Sequence, residues 1–174
     1  MTRRSWLGRA LAAAAATTLL PASLVGCARR EAGQSSPPTV QKSAAEWREL
    51  LTPEQYDVLF RERTERPHSS PLNGETREGQ YLCAACFLPL FTSETKYESG
   101  TGWPSFWAPI DGSMGTKPDY TLFMRRTEYH CIRCHGHQGH VFDDGPPPTG
   151  QRWCNNGVAL EFVPAGEDLP ELRS

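Results

Sequence analysis

Six cysteines stand in the 174-residue sequence, and their spacing divides them by chemistry. Four form two C-x-x-C pairs, Cys83 with Cys86 and Cys131 with Cys134; Cys27 and Cys154 stand alone. Each C-x-x-C turn aims two sulfurs at one point, so the two pairs together offer four thiolates, the ligand set that Zn²⁺ takes tetrahedrally. With all four positions filled by protein, such a metal has no site for water or substrate and serves the fold. Disulfides are the competing fate in an oxidising compartment, but a disulfide framework leaves Cys154 odd. A redox C-x-x-C needs a strand-to-helix junction in a βαβ pattern, which the sequence lacks. Structural zinc is therefore the expectation for Cys83, Cys86, Cys131 and Cys134.

An isolated cysteine is most often a small buried hydrophobe. The neighbours of Cys154 point elsewhere: Arg152 and Trp153 precede it, and Asn155, Asn156 and Gly157 follow, a polar turn in which a thiolate is reachable and stabilised by a cation or amide. Upstream, His137 and His140 offer imidazoles that donate protons near neutral pH. His135 reads as a neighbour of the metal turn, and His68 and His130 as surface residues without a partner. The run Ser99–Trp107 sets Trp103, Phe106 and Trp107 among glycines, as pocket wall or as core.

These groups need a frame that holds them. Two helix starts are written as capping boxes, Ser43 with Glu46 and Thr52 with Gln55, the second with Pro53 at the first helical position. The second helix is expected from Pro53 to about Glu62, with Tyr56, Leu59 and Phe60 on one face. Beyond Pro67, glycines interrupt the chain every few residues and leave only strand-length runs, among them Gln80–Ala84, Tyr120–Met124, Val141–Phe142 and Val158–Val163. A mainly β domain over residues 44–166 follows, with residues 167–174 as a tail. Net charge is −2, and setting aside the three arginines of residues 1–26 takes it to −5, a balance that argues against nucleic acid.

Residues 1–26 pair an arginine-bearing start with a small apolar run broken by Pro21, the layout of an export signal too short to span a bilayer. Arg3-Arg4 resembles a twin-arginine leader, and Leu24-Val25-Gly26-Cys27 resembles a bacterial lipobox. Those resemblances imply cleavage before Cys27, lipid on Cys27, and a flexible tether over residues 27–43. The domain is then expected in the bacterial cell envelope, lipid-anchored on the periplasmic or outer side; an ordinary cleaved signal is the alternative.

The two C-x-x-C pairs, SGTGWPSF, GHQGHVFDDGPPPTGQRWCNN and ALEFVP stand in the order found in methionine-R-sulfoxide reductases of the B type, which the sequence resembles from Leu51 to Pro164. The resemblance implies two antiparallel sheets in a β-tent, a zinc site remote from the active site, and thiol-dependent reduction of methionine-R-sulfoxide in oxidised proteins. It assigns the nucleophile to Cys154, acid and positioning roles to His137, His140 and Asn156, methyl binding to Trp103, and the basic position beside the nucleophile to Arg152; Phe106 joins the substrate set. Thr101 stands where many members carry a resolving cysteine, so a small thiol or thioredoxin-like protein is expected to reduce the Cys154 sulfenic acid directly. Trp153, Asn155 and Gly157 also depart from the usual Tyr, Ile and Ser. A non-catalytic zinc-stabilised binding module and a thiol peroxidase or oxidant sensor are the rival functions.

Overall fold

The computed structural model describes residues 37–121 and 125–174, so the leader, Cys27 and the lipobox lie outside the described residues. Both capping boxes form. Ser43 accepts from the Glu46 backbone N–H and Glu46 from that of Ser43, opening α1 (Ala44–Leu50); Thr52 and Gln55 do the same for α2 (Pro53–Arg61). α2 ends as Glu62 turns left-handed at φ 53°, and it buries Tyr56, Val58 and Leu59.

Among the described residues nine strands follow: β1 (Gly79–Cys83), β2 (Pro89–Thr92), β3 (Lys96–Tyr97), β4 (Ser105–Phe106), β5 (Met114–Asp119), β6 (Arg126–Cys131), β7 (His137–Phe142), β8 (Arg152–Asn155) and β9 (Leu160–Pro164). They make two antiparallel sheets, ordered β2-β1-β9 and β3-β4-β8-β7-β6-β5. Between the sheets lies an aromatic core. Phe106 stacks on Phe91 at 4.0 Å and meets Tyr81 edge-on at 4.9 Å; Tyr129 meets Trp153 edge-on at 4.9 Å. Burying a side chain of this kind contributes roughly 1.5–3 kcal/mol, so contact across the two sheets is what holds them together.

Two strand expectations shift. Of the run Tyr120–Met124 only Tyr120 and Thr121 are described, and neither is in a strand: β5 ends at Asp119 and Tyr120 is 67% exposed, while residues 122–124 lie outside the described residues. β5 contains Gly115, Lys117 and Pro118, poor strand formers, but it is an edge strand in full register with β6, and proline is tolerated where no second neighbour needs its N–H. Likewise Gly157–Ala159 is a 3-10 turn, and the last strand starts only at Leu160.

Residues 167–174 carry no regular structure yet do not hang free at their end. The Arg173 guanidinium donates to the carbonyls of Ala84 and Ala85 and lies 4.1 Å from the Phe87 ring, while its backbone N–H reaches the Cys86 carbonyl.

Candidate active site and metal centre

Strand β8 is the hinge of the site because its two faces do different work. Successive side chains of a strand point to opposite faces. Trp153 and Asn155 face the core: Trp153 pairs with Phe106 across β4, and the Asn155 amide oxygen accepts from the Tyr129 hydroxyl at 2.8 Å. Arg152 and Cys154 face the other way. Cys154 lies directly opposite Ser105 on β4 and His140 on β7, with Phe142 opposite Arg152. Gly139 makes the close pairing possible, since a Cβ there would collide with the Cys154 carbonyl.

A small pocket of about 110 Å³ opens on that face, its lining including Trp103, His140, Phe142, Cys154 and Asn156 together with Thr64 and Arg126. Its size suits a methyl thioether rather than a large ligand. Burial pushes the Cys154 thiol up, while the charge of Arg152 and hydrogen bonds from Thr101, Arg152 and Ser105 act against that rise. Arg152 is itself fixed: its guanidinium grips Asp144 through two bonds of 2.8 and 2.9 Å and lies 4.3 Å from the Phe142 ring.

The two histidines are held by separate carboxylates. His140 Nε2 sits 2.8 Å from Asp119 Oδ2, and Asp119 also takes Arg126 at 2.5 Å. Donation of the Nε2 proton to Asp119 leaves Nδ1 as the basic nitrogen of the ring. Burial pushes His140 below its ordinary value, opposed by the Asp119 hydrogen bond and aided by the Arg126 charge, so its neutral form is favoured. His137 does not wall the pocket. It lies behind His140, ring centroids 5.4 Å apart and edge-on, with Nδ1 2.7 Å from Glu128 Oε1 and a buried Nε2 that has no partner among the described residues. Burial raises Glu128, but the hydrogen bonds from His130 and His137 outweigh it and hold its carboxyl at about 2.

Three expectations need correction. Phe106 is not a substrate contact: it is fully buried and stacked on Phe91, because the pleat of β4 turns Ser105 to the site and Phe106 to the core. The Asn156 amide is spent on the protein, Oδ1 accepting from the Glu65 N–H at 3.1 Å and Nδ2 donating to the Gln138 carbonyl at 2.9 Å, so its part in the site is to brace it. His130 does have a partner, Glu128, at 3.1 Å.

Sequence reading also missed Glu65, Glu128 and Asp119. Glu65 is buried and meets no cation among the described residues; its carboxylate accepts from the N–H groups of Gly157 and Val158 at 2.6 and 2.9 Å, and its carbonyl takes the Trp103 indole N–H at 3.3 Å. Burial pushes its carboxyl up, against the pull of those two N–H groups. Only Glu128 had a signal, a charge in the middle of the strand-like run Arg126–Cys131.

Far along the chain, the two C-x-x-C turns meet as expected. All four sulfurs lie within 4.8 Å of one another in a fully buried cluster, with Cys83 to Cys134 at 3.5 Å and Cys86 to Cys131 at 3.6 Å. Four sulfurs around one Zn²⁺ stand roughly 3.8 Å apart, from Zn–S bonds of about 2.3 Å. Two N–H donors point at the sulfurs, Gly136 N at Cys134 and Gln138 Nε2 at Cys83, each 3.4 Å, which suits thiolates better than thiols. No disulfide links the five described cysteines. The donor set fits zinc.

The SelR domain family model matches residues 51–164. Three curated relatives bear the name peptide methionine sulfoxide reductase MsrB. The Agrobacterium fabrum protein is 52% identical over 73% of this chain and 95% of its own length. The Pseudomonas putida protein is 52% identical over 72% and 95%, and the Methanosarcina barkeri protein 53% identical over 71% and 87%.

Proposed function

The chain belongs to the SelR domain family of B-type methionine sulfoxide reductases, and we propose that it reduces methionine-R-sulfoxide to methionine with Cys154 as nucleophile. The observation that carries this reading is the cross-strand pair of Cys154 and His140 at a small pocket walled by Trp103. The Cys154 thiolate attacks the sulfoxide sulfur. Oxygen would leave as a poor anion, so it must be protonated as the S–O bond breaks. His140, the ring at the pocket, takes the Cys154 thiol proton on its basic Nδ1 and returns it to the departing oxygen, with His137 behind it as a second proton source, and Asp119 and Glu128 fix the orientation of each. Trp103 packs on the substrate methyl, and the shape of that contact selects the epimer.

A water then attacks the Cys154 sulfur of the resulting S–S⁺ sulfonium, methionine departs with the bonding electrons, and Cys154 is left as sulfenic acid. With threonine at position 101, an external small thiol or a thioredoxin-like protein reduces that acid directly. Zn²⁺ would be held by Cys83, Cys86, Cys131 and Cys134, where it would tie two distant turns together and supply no reacting group.

The leader supports a location. Arg3-Arg4 and Leu24-Val25-Gly26-Cys27 favour export of a folded, metal-loaded domain and lipid attachment at Cys27, with oxidised envelope proteins as substrates. Labelling with a radioactive fatty acid checks it: label should enter the wild-type chain and not Cys27→Ser.

The activity is tested with the R and S sulfoxides of a protected methionine and dithiothreitol. Only the R epimer should be consumed. Equal turnover of both epimers, or oxidation of Cys154 by peroxide faster than by the sulfoxide, would overturn the reading in favour of an unselective thiol or a peroxidase.

A further inference from the structure

Position 101 holds a hydroxyl that cannot form a disulfide but can donate a hydrogen bond, and it is not alone. Ser99 Oγ stands 2.8 Å from Thr101 Oγ1 and 2.8 Å from Ser105 Oγ. Ser105 is fully buried and is the direct cross-strand neighbour of Cys154. Three hydroxyls thus form one connected group beside the nucleophilic sulfur.

Counting protons shows what such a group does. Each hydroxyl owns one proton and accepts with two lone pairs. Ser99 sits between the other two and donates to only one of them at a time. Ser105 has a second acceptor in reach, the Trp103 carbonyl at 3.2 Å, and Thr101 Oγ1 has no protein acceptor but Ser99 among its hydrogen bonds. With both 2.8 Å bonds made, two of the three protons are used within the group and one is left for the sulfur: that of Thr101 when Ser99 donates to Thr101, or that of Ser105, shared with the Trp103 carbonyl, when Ser99 donates to Ser105. A neutral thiol is a weak acceptor, whereas a thiolate or a sulfenate oxygen is a strong one.

We propose that Thr101 and Ser105, bridged by Ser99, form a hydroxyl cradle that stabilises the Cys154 thiolate and then its sulfenic acid, taking the place of a resolving cysteine. The second half of this inference rests on the reductase reading above. In that reaction the thiolate attacks the sulfoxide sulfur to form a Cys154–S–S⁺ sulfonium as two protons carry the oxygen off as water; a water then attacks the Cys154 sulfur, the S–S bond breaks with its electron pair going to the departing thioether, and Cys154–S–OH and a proton remain. An external thiol R–SH then displaces that hydroxyl as water to give Cys154–S–S–R. A second R–SH releases R–S–S–R and returns the Cys154 thiol. Between turnover and the first external thiol, the S–OH oxygen must be held, and the cradle supplies donors for it.

The opposing forces on the sulfur agree with this role. Burial pushes the Cys154 thiol up, and among the groups that counter it are the Thr101 and Ser105 hydroxyls.

Alkylation separates this inference from the activity. The full chain is treated with iodoacetamide across a pH series, and the Cys154 peptide is followed by mass spectrometry in wild type, Thr101→Val, Thr101→Ser and Ser105→Ala. Thr101→Val keeps the side-chain shape and removes the hydroxyl. Its profile should move about one pH unit upward, roughly a tenfold loss of alkylation rate near neutrality, and Thr101→Ser should return it. A Thr101→Val profile that coincides with wild type overturns the cradle, whether or not Ser105→Ala folds. After one equivalent of R sulfoxide, dimedone capture should show a shorter-lived sulfenic acid in Thr101→Val; an equal lifetime overturns the second half. Failure of the reductase reading looks different: wild type would not turn over the sulfoxide, while the alkylation shift persisted.

Discussion

The described part of the chain treats sulfur in two opposite ways. At the two C-x-x-C turns, four sulfurs are fully buried within 4.8 Å of one another and met by N–H donors. At β8, one sulfur is half-buried against a pocket, flanked by hydroxyls, a pinned guanidinium and an imidazole. The first arrangement leaves no room for a substrate and the second leaves room for a methyl group. What differs is geometry and access, not residue type: crowding makes cysteine a ligand, and solitude beside proton donors makes it a reagent.

The sharpest way to break that contrast is to exchange one sulfur for oxygen at each place. Cys154→Ser should lower kcat/KM by roughly 10⁴-fold or more, as loss of a nucleophile does, with zinc content and melting temperature essentially unchanged. Cys131→Ser should do the reverse in kind, losing zinc and with it the cooperative melt, because metal binding at such sites is folding free energy. If Cys131→Ser melted like wild type, or Cys154→Ser kept its turnover, the division between ligand and reagent would collapse.

A gentler change probes how the reagent side is held. Glu128 is buried beneath His137 and His130, and its carboxyl is held at about 2, below the ordinary 4.5. A lowered folded-state value means that the charged carboxylate stabilises the fold. That contribution is complete above about pH 4.5 and is lost as pH falls toward 2. Glu128→Gln lacks it, so wild type should be the more stable chain near neutrality and the gap should close between pH 4.5 and 2. Zinc loss in acid affects both chains, and the difference between their denaturation midpoints removes it. Activity should fall roughly 10²-fold as His137 loses the charged acceptor that orients it. Parallel stability curves across that window would show that Glu128 does not act through its charge.

How much of this was legible depends on how local the cause is. Capping boxes are written within four residues, and Ser43–Glu46 and Thr52–Gln55 formed as read. The C-x-x-C turns carry their own geometry, and a mainly β domain followed from the spacing of glycines and short apolar runs, while the division into two sheets came only with the family resemblance. Phe106 and Trp103 were not separable, because only the pairing of β4 with β8 decides which aromatic faces the core and which the pocket. Glu65 was invisible for the same reason: it gains meaning only when the chain returns to set Gly157 and Val158 over its carboxylate. Gly157 shows the reverse, since a side chain there would strike Ser70, a clash between distant segments that no local pattern announces.

The smallest expected effect concerns the ligand side, where the chain end bears on the metal turns. Arg133 donates to the carbonyls of Cys86 and Arg173, joining the second turn to the first, while Arg173 closes over Ala84, Ala85 and Phe87. The strap covers the zinc turns from outside and supplies no ligand. Arg173→Ala should therefore cost only about 1 kcal/mol, the scale of a few part-exposed hydrogen bonds and one cation–π contact. Wild-type kcat/KM should persist, because the variant touches neither β8 nor the pocket. The strap should show itself in kinetics of metal release: zinc transfer to a colorimetric chelator should be several-fold faster in Arg173→Ala. An unchanged release rate would mean that the four sulfurs alone retain the metal and that the chain end merely rests against them.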